Sequence, residues 1–180
     1  VLPGVAYRVD DRLTVGGTLG IGISHVALKG PYFLQGPSLL AGCPTMLDTW
    51  GTGVAMVWSF GLQYALTEQT TVGVTYQSES RFHLHGNAQV DVPGLGRTSY
   101  KAQTDITWPE SVGLGVRHAP CPHHILSADV IWYNWSQAFG DLGIHLSESS
   151  NSMFPSIYEE FPLGWRDTVS VRLGYERILE

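Results

Sequence analysis

Three histidines, His118, His123 and His124, crowd around Cys121, and His83 and His85 stand two apart, so metal ligation is the first chemistry to weigh. Neither set has the spacing of a zinc site. The first falls in a proline-rich turn, where exposed polar side chains are ordinary, so no metal is expected. Cys43 and Cys121 could form a disulfide in an oxidising compartment. No nucleophile–base pair, phosphate-cradling glycine loop or paired-carboxylate pattern stands out, so neither an enzyme nor a cofactor is expected. Arg117, Asp129, Arg172 and Glu176 remain: an arginine among them could pair with a ligand carboxylate, or the four could pair with one another across neighbouring strands.

The elements that carry these residues follow from composition. Only 14% of the chain is charged and 43% is hydrophobic, too few charges for an ordinary soluble surface. Glycine, threonine or serine interrupts every apolar run before it reaches the length of a spanning helix, which excludes a helical membrane protein. With 21 Gly, 8 Tyr and 6 Trp the class is all-β. A net charge of −6 without a basic stripe excludes nucleic acid as a partner. Val1 opens directly on strand-like sequence, so any export signal is expected to lie outside this chain.

Residues two apart then identify the kind of sheet. From Leu13 to Ile23 the odd positions are Leu13, Val15, Leu19, Ile21 and Ile23 with Gly17, while the even ones are Thr or Gly up to Ser24. From Val54 to Leu66 the even positions Val54, Met56, Trp58, Phe60, Leu62, Tyr64 and Leu66 alternate with mostly small or polar residues. Val72, Val74 and Tyr76, then Val112, Leu114 and Val116, then Ala128, Val130 and Trp132, then Val169, Val171, Leu173 and Tyr175 repeat the rhythm, and Val5, Tyr7 and Val9 form a shorter copy. An apolar face towards lipid and a bare or polar face towards a lumen is the pattern of a transmembrane β-barrel.

Charges obey the same parity. Arg8, Glu79, Arg81, Arg117, Asp129, Arg172 and Glu176 fall opposite their strands' apolar sets, as they must if a charge facing lipid costs about 2–4 kcal/mol near the midplane. Glu110 is the exception, and Pro109 before it marks a bulge that would shift the phase. Connections alternate between short turns at Asp10-Asp11, Thr67-Glu68-Gln69 and Pro120-Cys121-Pro122 and long ones near 30–51, 85–105 and 138–165. Short periplasmic turns and long outer loops give about seven up-and-down strands in one partial outer-membrane barrel domain, residues 1–180. Cys43 then lies outside and Cys121 in the periplasm, a bilayer apart, which argues against their disulfide. His83 and His85 are expected to line the upper lumen.

Several segments resemble, in order, the long-chain fatty-acid transporter family of the outer membrane, the FadL/TodX type. Pro3 to Gly16 is similar to one of its strand–turn–strand units. Trp50-Gly51-Thr52-Gly53 leading to Tyr64-Ala65-Leu66-Thr67 and Val72 to Ser78 resembles the next hairpin. Trp108-Pro109-Glu110-Ser111-Val112, followed by Ala128-Asp129-Val130, Trp132 and Asn134-Trp135-Ser136, resembles the hairpin after that, and Trp165-Arg166-Asp167-Thr168 with Val171 and Leu173-Gly174 the strand that follows. The resemblance implies a larger barrel with an N-terminal plug, a monomer when complete, that takes up fatty acids or aromatic hydrocarbons and releases them through a gap in its wall. Only its middle strands are matched, and with Leu179-Glu180 ending just after a strand this piece is expected to be a fragment that does not close alone.

Two outer segments are candidate ligand sites. Tyr32, Phe33, Leu34, Leu39 and Leu40 make the first loop unusually apolar for a segment facing water. Either they form a groove that captures lipid-like molecules or they pack on the rim and on other loops. Phe154, Ile157, Tyr158 and Phe161, spaced by three and four with Pro155 suited to a first helical position and Pro162 ending the run, predict a short amphipathic helix that forms the other wall of a groove or packs on the rim. The implied partners are a hydrophobic small molecule and outer-membrane lipid. Two alternatives share the alternation: a soluble lipid-binding β-barrel and an outer-membrane structural protein without transport.

Overall fold

A computed structural model describes residues 2–179 of the chain; Val1 and Glu180, where the readings of the two ends fall, lie outside the described residues. One antiparallel sheet is built from β1 (Gly4–Arg8), β2 (Leu13–Phe33), β3 (Pro44–Ala65), β4 (Thr70–Gln77), β5 (Ser80–Val92), β6 (Gly96–Trp108), β7 (Ser111–Cys121), β8 (His124–Tyr133), β9 (Asp141–Ser147), β10 (Ile157–Pro162) and β11 (Thr168–Arg177), with a single-turn helix α1 (Trp135–Ala138). The expected seven strands are present as seven passes, four of which are broken into two: β4 with β5, β6 with β7, β8 with β9, and β10 with β11.

The breaks fork the sheet. Its lower branch runs β1-β2-β3-β4-β7-β8-β11 and its upper branch β2-β3-β5-β6-β9-β10, and the unbroken β2–β3 hairpin belongs to both. The three expected short turns stand at the lower end, where the sequence put them. The expected long outer loops do not. Segments 30–51 and 85–105 are mostly strand and 138–165 is strand over Asp141–Ser147 and Ile157–Pro162, because each outer connection satisfies its backbone groups by pairing with its neighbours. True loops remain at 34–43, 93–95 and 148–156.

In the lower branch the register carries one apolar face through every ladder. Leu19 pairs with Trp58, Leu62 with Val74, Val74 with Leu114, Leu114 with Val130, and Val130 with Val171. Side chains of this face are exposed, Ile21 at 71% and Leu173 at 83%, as a surface solvated by acyl chains must be. The opposite face pairs Gly16 with Gly61, Thr18 with Ser59, Gly73 with Gly115 and Asp129 with Arg172.

In the upper branch the two faces exchange character. On β2 the outward set continues as His25, Ala27 and Lys29, while the inward set becomes Val26, Leu28 and Tyr32, followed by Leu34 just beyond the strand. On the β4–β5 pass a bulge makes the same exchange. Gln77 pairs with Ser59 and His85 with Thr52, so eight residues of β4–β5 run alongside seven of β3. One extra residue sends every following side chain to the other face. Even-numbered Val72, Val74 and Tyr76 therefore face lipid, whereas even-numbered Phe82, Leu84, Ala88, Val90 and Val92 face inward and are buried.

This corrects the expectation for His83, His85 and Arg81, which lie on the outward face of the upper branch and not in the lumen. Pro109 and Glu110 do mark a break, between β6 and β7. There the Glu110 carboxylate accepts from Tyr76 Oη at 2.8 Å and Asn134 Nδ2 at 3.1 Å, stitching three passes together. Asp167 does the same for the last two passes, accepting from Ser136 N at 3.0 Å and Trp132 Nε1 at 3.2 Å. Hydrogen bonding from Ser136 holds its carboxyl below the usual value.

Candidate functional site

The core of the molecule lies on the inward face of the upper branch. Leu47 on β3, Ala88, Val90 and Val92 on β5, Tyr100 and Ala102 on β6, Ile144 and Leu146 on β9 and Ile157 on β10 form one buried cluster. Two loops cover it, with Leu34 and Leu40 from 34–43 and Phe154 from 148–156. Alternation at period two explains the strand contributions, since successive side chains point to opposite faces of the sheet. Below the packed cluster an apolar cavity of about 60 Å³ is lined by Val26, Leu28, Leu84, Ile106, Leu142 and their neighbours.

The margins of the upper branch, β2 and β10, meet. Tyr32 and Phe161 lie ring against ring with centroids 5.1 Å apart. The Tyr32 hydroxyl donates to Glu159 Oε2 at 2.8 Å, and the backbone N–H groups of Gln35 and Gly36 donate to the same carboxylate at 3.0–3.4 Å. In return Glu160 N donates to Gln35 Oε1 at 3.2 Å. Six strands thus curl into an enclosure that side chains and loop backbone close. Glu159 is only 2% exposed, and a carboxylate so buried is tolerable because charge-assisted hydrogen bonds replace its water. Burial, together with the Glu159 carboxylate, pushes the Tyr32 hydroxyl above its ordinary range, so it remains a donor.

Of the candidate ligand residues, the fold brings together Tyr32, Leu34, Leu40, Phe154, Ile157 and Phe161, all in or against this cluster. Phe33 and Leu39 are exposed away from it, and Tyr158 points outward, its ring 4.5 Å from that of His145. The predicted helix across Phe154 to Phe161 is absent: Phe154 lies in a turn, and Ile157–Pro162 is a strand paired with β9. Pairing satisfies the free edge of β9, and Pro162 closes the margin strand, where a missing N–H costs little. Strand geometry also turns Glu159 inward with Ile157 and Phe161, which helical spacing concealed.

In the lower branch, Arg172 Nε stands 3.4 Å from Asp129 Oδ1 across the β8–β11 ladder. Arg117 sits on the same face opposite Thr71 and Ser127, and Glu176 opposite Ile125 nearer the lower end. Thr18 and Ser59 hydroxyls bond there at 2.7 Å. His118 bonds Thr70 at 2.9 Å and His124 bonds Tyr175 at 2.7 Å. Both thiols are free, Cys43 against the upper cluster and Cys121 exposed at the lower turn.

Sequence reasoning missed Glu159 and the strand residues of the enclosure. The signal for the strand residues is the alternation Phe82, Leu84, Ala88, Val90, Val92 and Tyr100, Ala102, Ile106, which runs through and just beyond the connection expected at 85–105.

The sequence profile of the family described as outer membrane protein transport protein (OMPP1/FadL/TodX) matches residues 1–176. The chain belongs to this family. Its place is accordingly the outer membrane, and the lower branch is its membrane wall. Curated protein sequences give no match. Among solved structures, the CymD monoaromatic hydrocarbon channel superposes with a TM-score of 0.85 at 20% identity, over 98% of this chain and 55% of that one. The Ralstonia pickettii toluene transporter TbuX gives 0.82 at 20% identity, over 97% and 50%. A Pseudomonas aeruginosa FadL homologue gives 0.77 at 18% identity, over 96% and 44%. At these identities the likeness establishes the barrel fold, and the chain spans about half the length of the solved structures it matches.

Proposed function

We propose that this protein carries hydrophobic molecules, such as long-chain fatty acids or aromatic hydrocarbons, inward across the outer membrane, and that the upper enclosure is where they first leave water. The observation that carries the reading is the exchange of polarity between the branches. A wall that is apolar outside and polar inside within the membrane becomes polar outside and apolar inside above it. An apolar inward face beyond the lipid has no need to meet acyl chains, and it offers a hydrophobic solute a place to bury its surface at about 25 cal/mol per Å². The names of the structural neighbours, a monoaromatic hydrocarbon channel and a toluene transporter, favour aromatic hydrocarbons as the ligand class. The ligand is a small molecule, and the outward face of the lower branch takes membrane lipid as its partner.

The test is uptake of radiolabelled toluene and oleate by cells lacking their own transporter and expressing this protein. Ala102→Val adds two carbons beside the cavity of about 60 Å³, which can accept them without moving the strands. Uptake should fall severalfold at unchanged barrel abundance; uptake equal to that of the unaltered protein would refute the enclosure as the collecting site.

A further inference from the structure

The enclosure has little free room. Its cavity of about 60 Å³ is well below the roughly 150 Å³ in which an apolar protein cavity holds one benzene ring. Something must therefore move before a ring or an acyl chain can enter. Strand segments are poor candidates, since the β2–β3 hairpin is paired without interruption from Leu13 with Tyr64 to Phe33 with Pro44, and β5 with β6 from Ser80 with Trp108 to Val92 with Gly96. The covering loop at 34–43 is different. It contributes Leu34 and Leu40 to the cluster, but no ladder fastens it to the opposite margin among the described residues.

Most of the hydrogen bonds that hold it there end on one carboxylate. Glu159 gathers the Tyr32 hydroxyl and the Gln35 and Gly36 N–H groups, and Gln35 returns one bond to Glu160. We propose that residues 34–43 form a hinged cover over the apolar enclosure, that Glu159 is its latch, and that hydrophobic ligand enters when the latch releases. This rests on the transport reading above. The arrangement suits a latch: three of its bonds converge on one side chain, so they are lost together. The buried apolar contacts of Leu34 and Leu40 are non-directional, and an entering hydrophobic molecule can replace them.

Cys43, at the foot of the cover and packed against the cluster, reports its position. With Cys121→Ser in place, Cys43 should react slowly with a maleimide in the unaltered loop. It should react at least fivefold faster in Glu159→Gln, and also in Tyr32→Phe, which removes a single hydroxyl and leaves the ring packing. Unchanged rates in both variants would overturn the latch. The cover itself is tested in cells with Gln35→Cys and Glu160→Cys in a Cys43→Ser, Cys121→Ser background, bridged by a short bis-methanethiosulfonate. Toluene and oleate uptake should drop at least tenfold on bridging and return on reduction. Undiminished uptake through the bridged protein overturns the cover while leaving transport intact, whereas no uptake before bridging overturns the transport reading and the cover with it.

Discussion

Leu114 and Gly115 are adjacent on β7 and point to opposite sides of the wall, which makes them a sensitive test of its orientation. Leu114 is 58% exposed in the middle of the outward apolar set, paired with Val74 and Val130. Gly115 pairs with Gly73 and Asp129 on the lumen side, and a Cβ there would meet Asp129 Cβ at 3.7 Å and the Ala128 carbonyl at 3.8 Å, which is ordinary contact. An arginine at 114 must put its charge into hydrocarbon, at a cost of about 2–4 kcal/mol. At 115 the same arginine reaches water and faces a carboxylate. The folding equilibrium of Leu114→Arg should therefore be weaker than that of Gly115→Arg by roughly thirty- to seven-hundred-fold. Reversible unfolding from phospholipid vesicles in denaturant, followed by tryptophan fluorescence, measures the difference. Equal stabilities, or a greater loss from Gly115→Arg, would refute the assignment of the two faces.

Other expectations follow from single contacts. A Cβ at Gly86 would run into the Trp50 carbonyl oxygen where β5 crosses β3, so Gly86→Val should cost about 1–3 kcal/mol and expose the upper branch, but not the lower, to limited proteolysis. Phe154 is 7% exposed in the cluster, so Phe154→Ala should cost about 3–5 kcal/mol in a denaturant titration and lower barrel abundance before any effect on uptake is read. Arg172 and Asp129 are 59% and 41% exposed, so Arg172→Ala should cost under about 1 kcal/mol and leave toluene and oleate uptake alike; selective loss of oleate would instead show that the arginine steers a carboxylate. The Asp10 carboxyl is held below its usual value by the N–H groups of Arg12 and Leu13, at 2.7 and 2.8 Å. Its support of the turn is therefore complete above the ordinary aspartate value and disappears as pH falls through the lowered one. The slower amide exchange of Arg12 and Leu13 relative to Asp10→Ala should vanish in that acidic range.

How far these features could be read in advance varies along the chain. The membrane wall was legible because both of its faces have a function that residue type reports directly: lipid selects Leu, Val and Ile on one side, and the lumen tolerates Gly, Thr and charge on the other. The upper branch was partly legible. On β2 the exchange of faces shows as the apolar set passing from odd positions up to Ile23 to even ones from Val26, whereas 85–105 is polar enough to pass for a long connection. The Phe154 to Phe161 segment fitted both a helix at spacings of three and four and a strand at spacing two, and only the free edge of β9 decided between them.

The sequence by itself determined the period, the seven passes and the lipid-facing set, because alternation is local and each strand carries its own record of what solvates it. Tertiary structure alone decided that the apolar side chains of β5 turn inward above the membrane. That depends on one extra residue at Ser78–Glu79 counted against β3, a comparison between strands that no single segment contains. It likewise decided the role of Glu159, whose partners lie more than a hundred residues away and meet it only when the margins of the upper branch close.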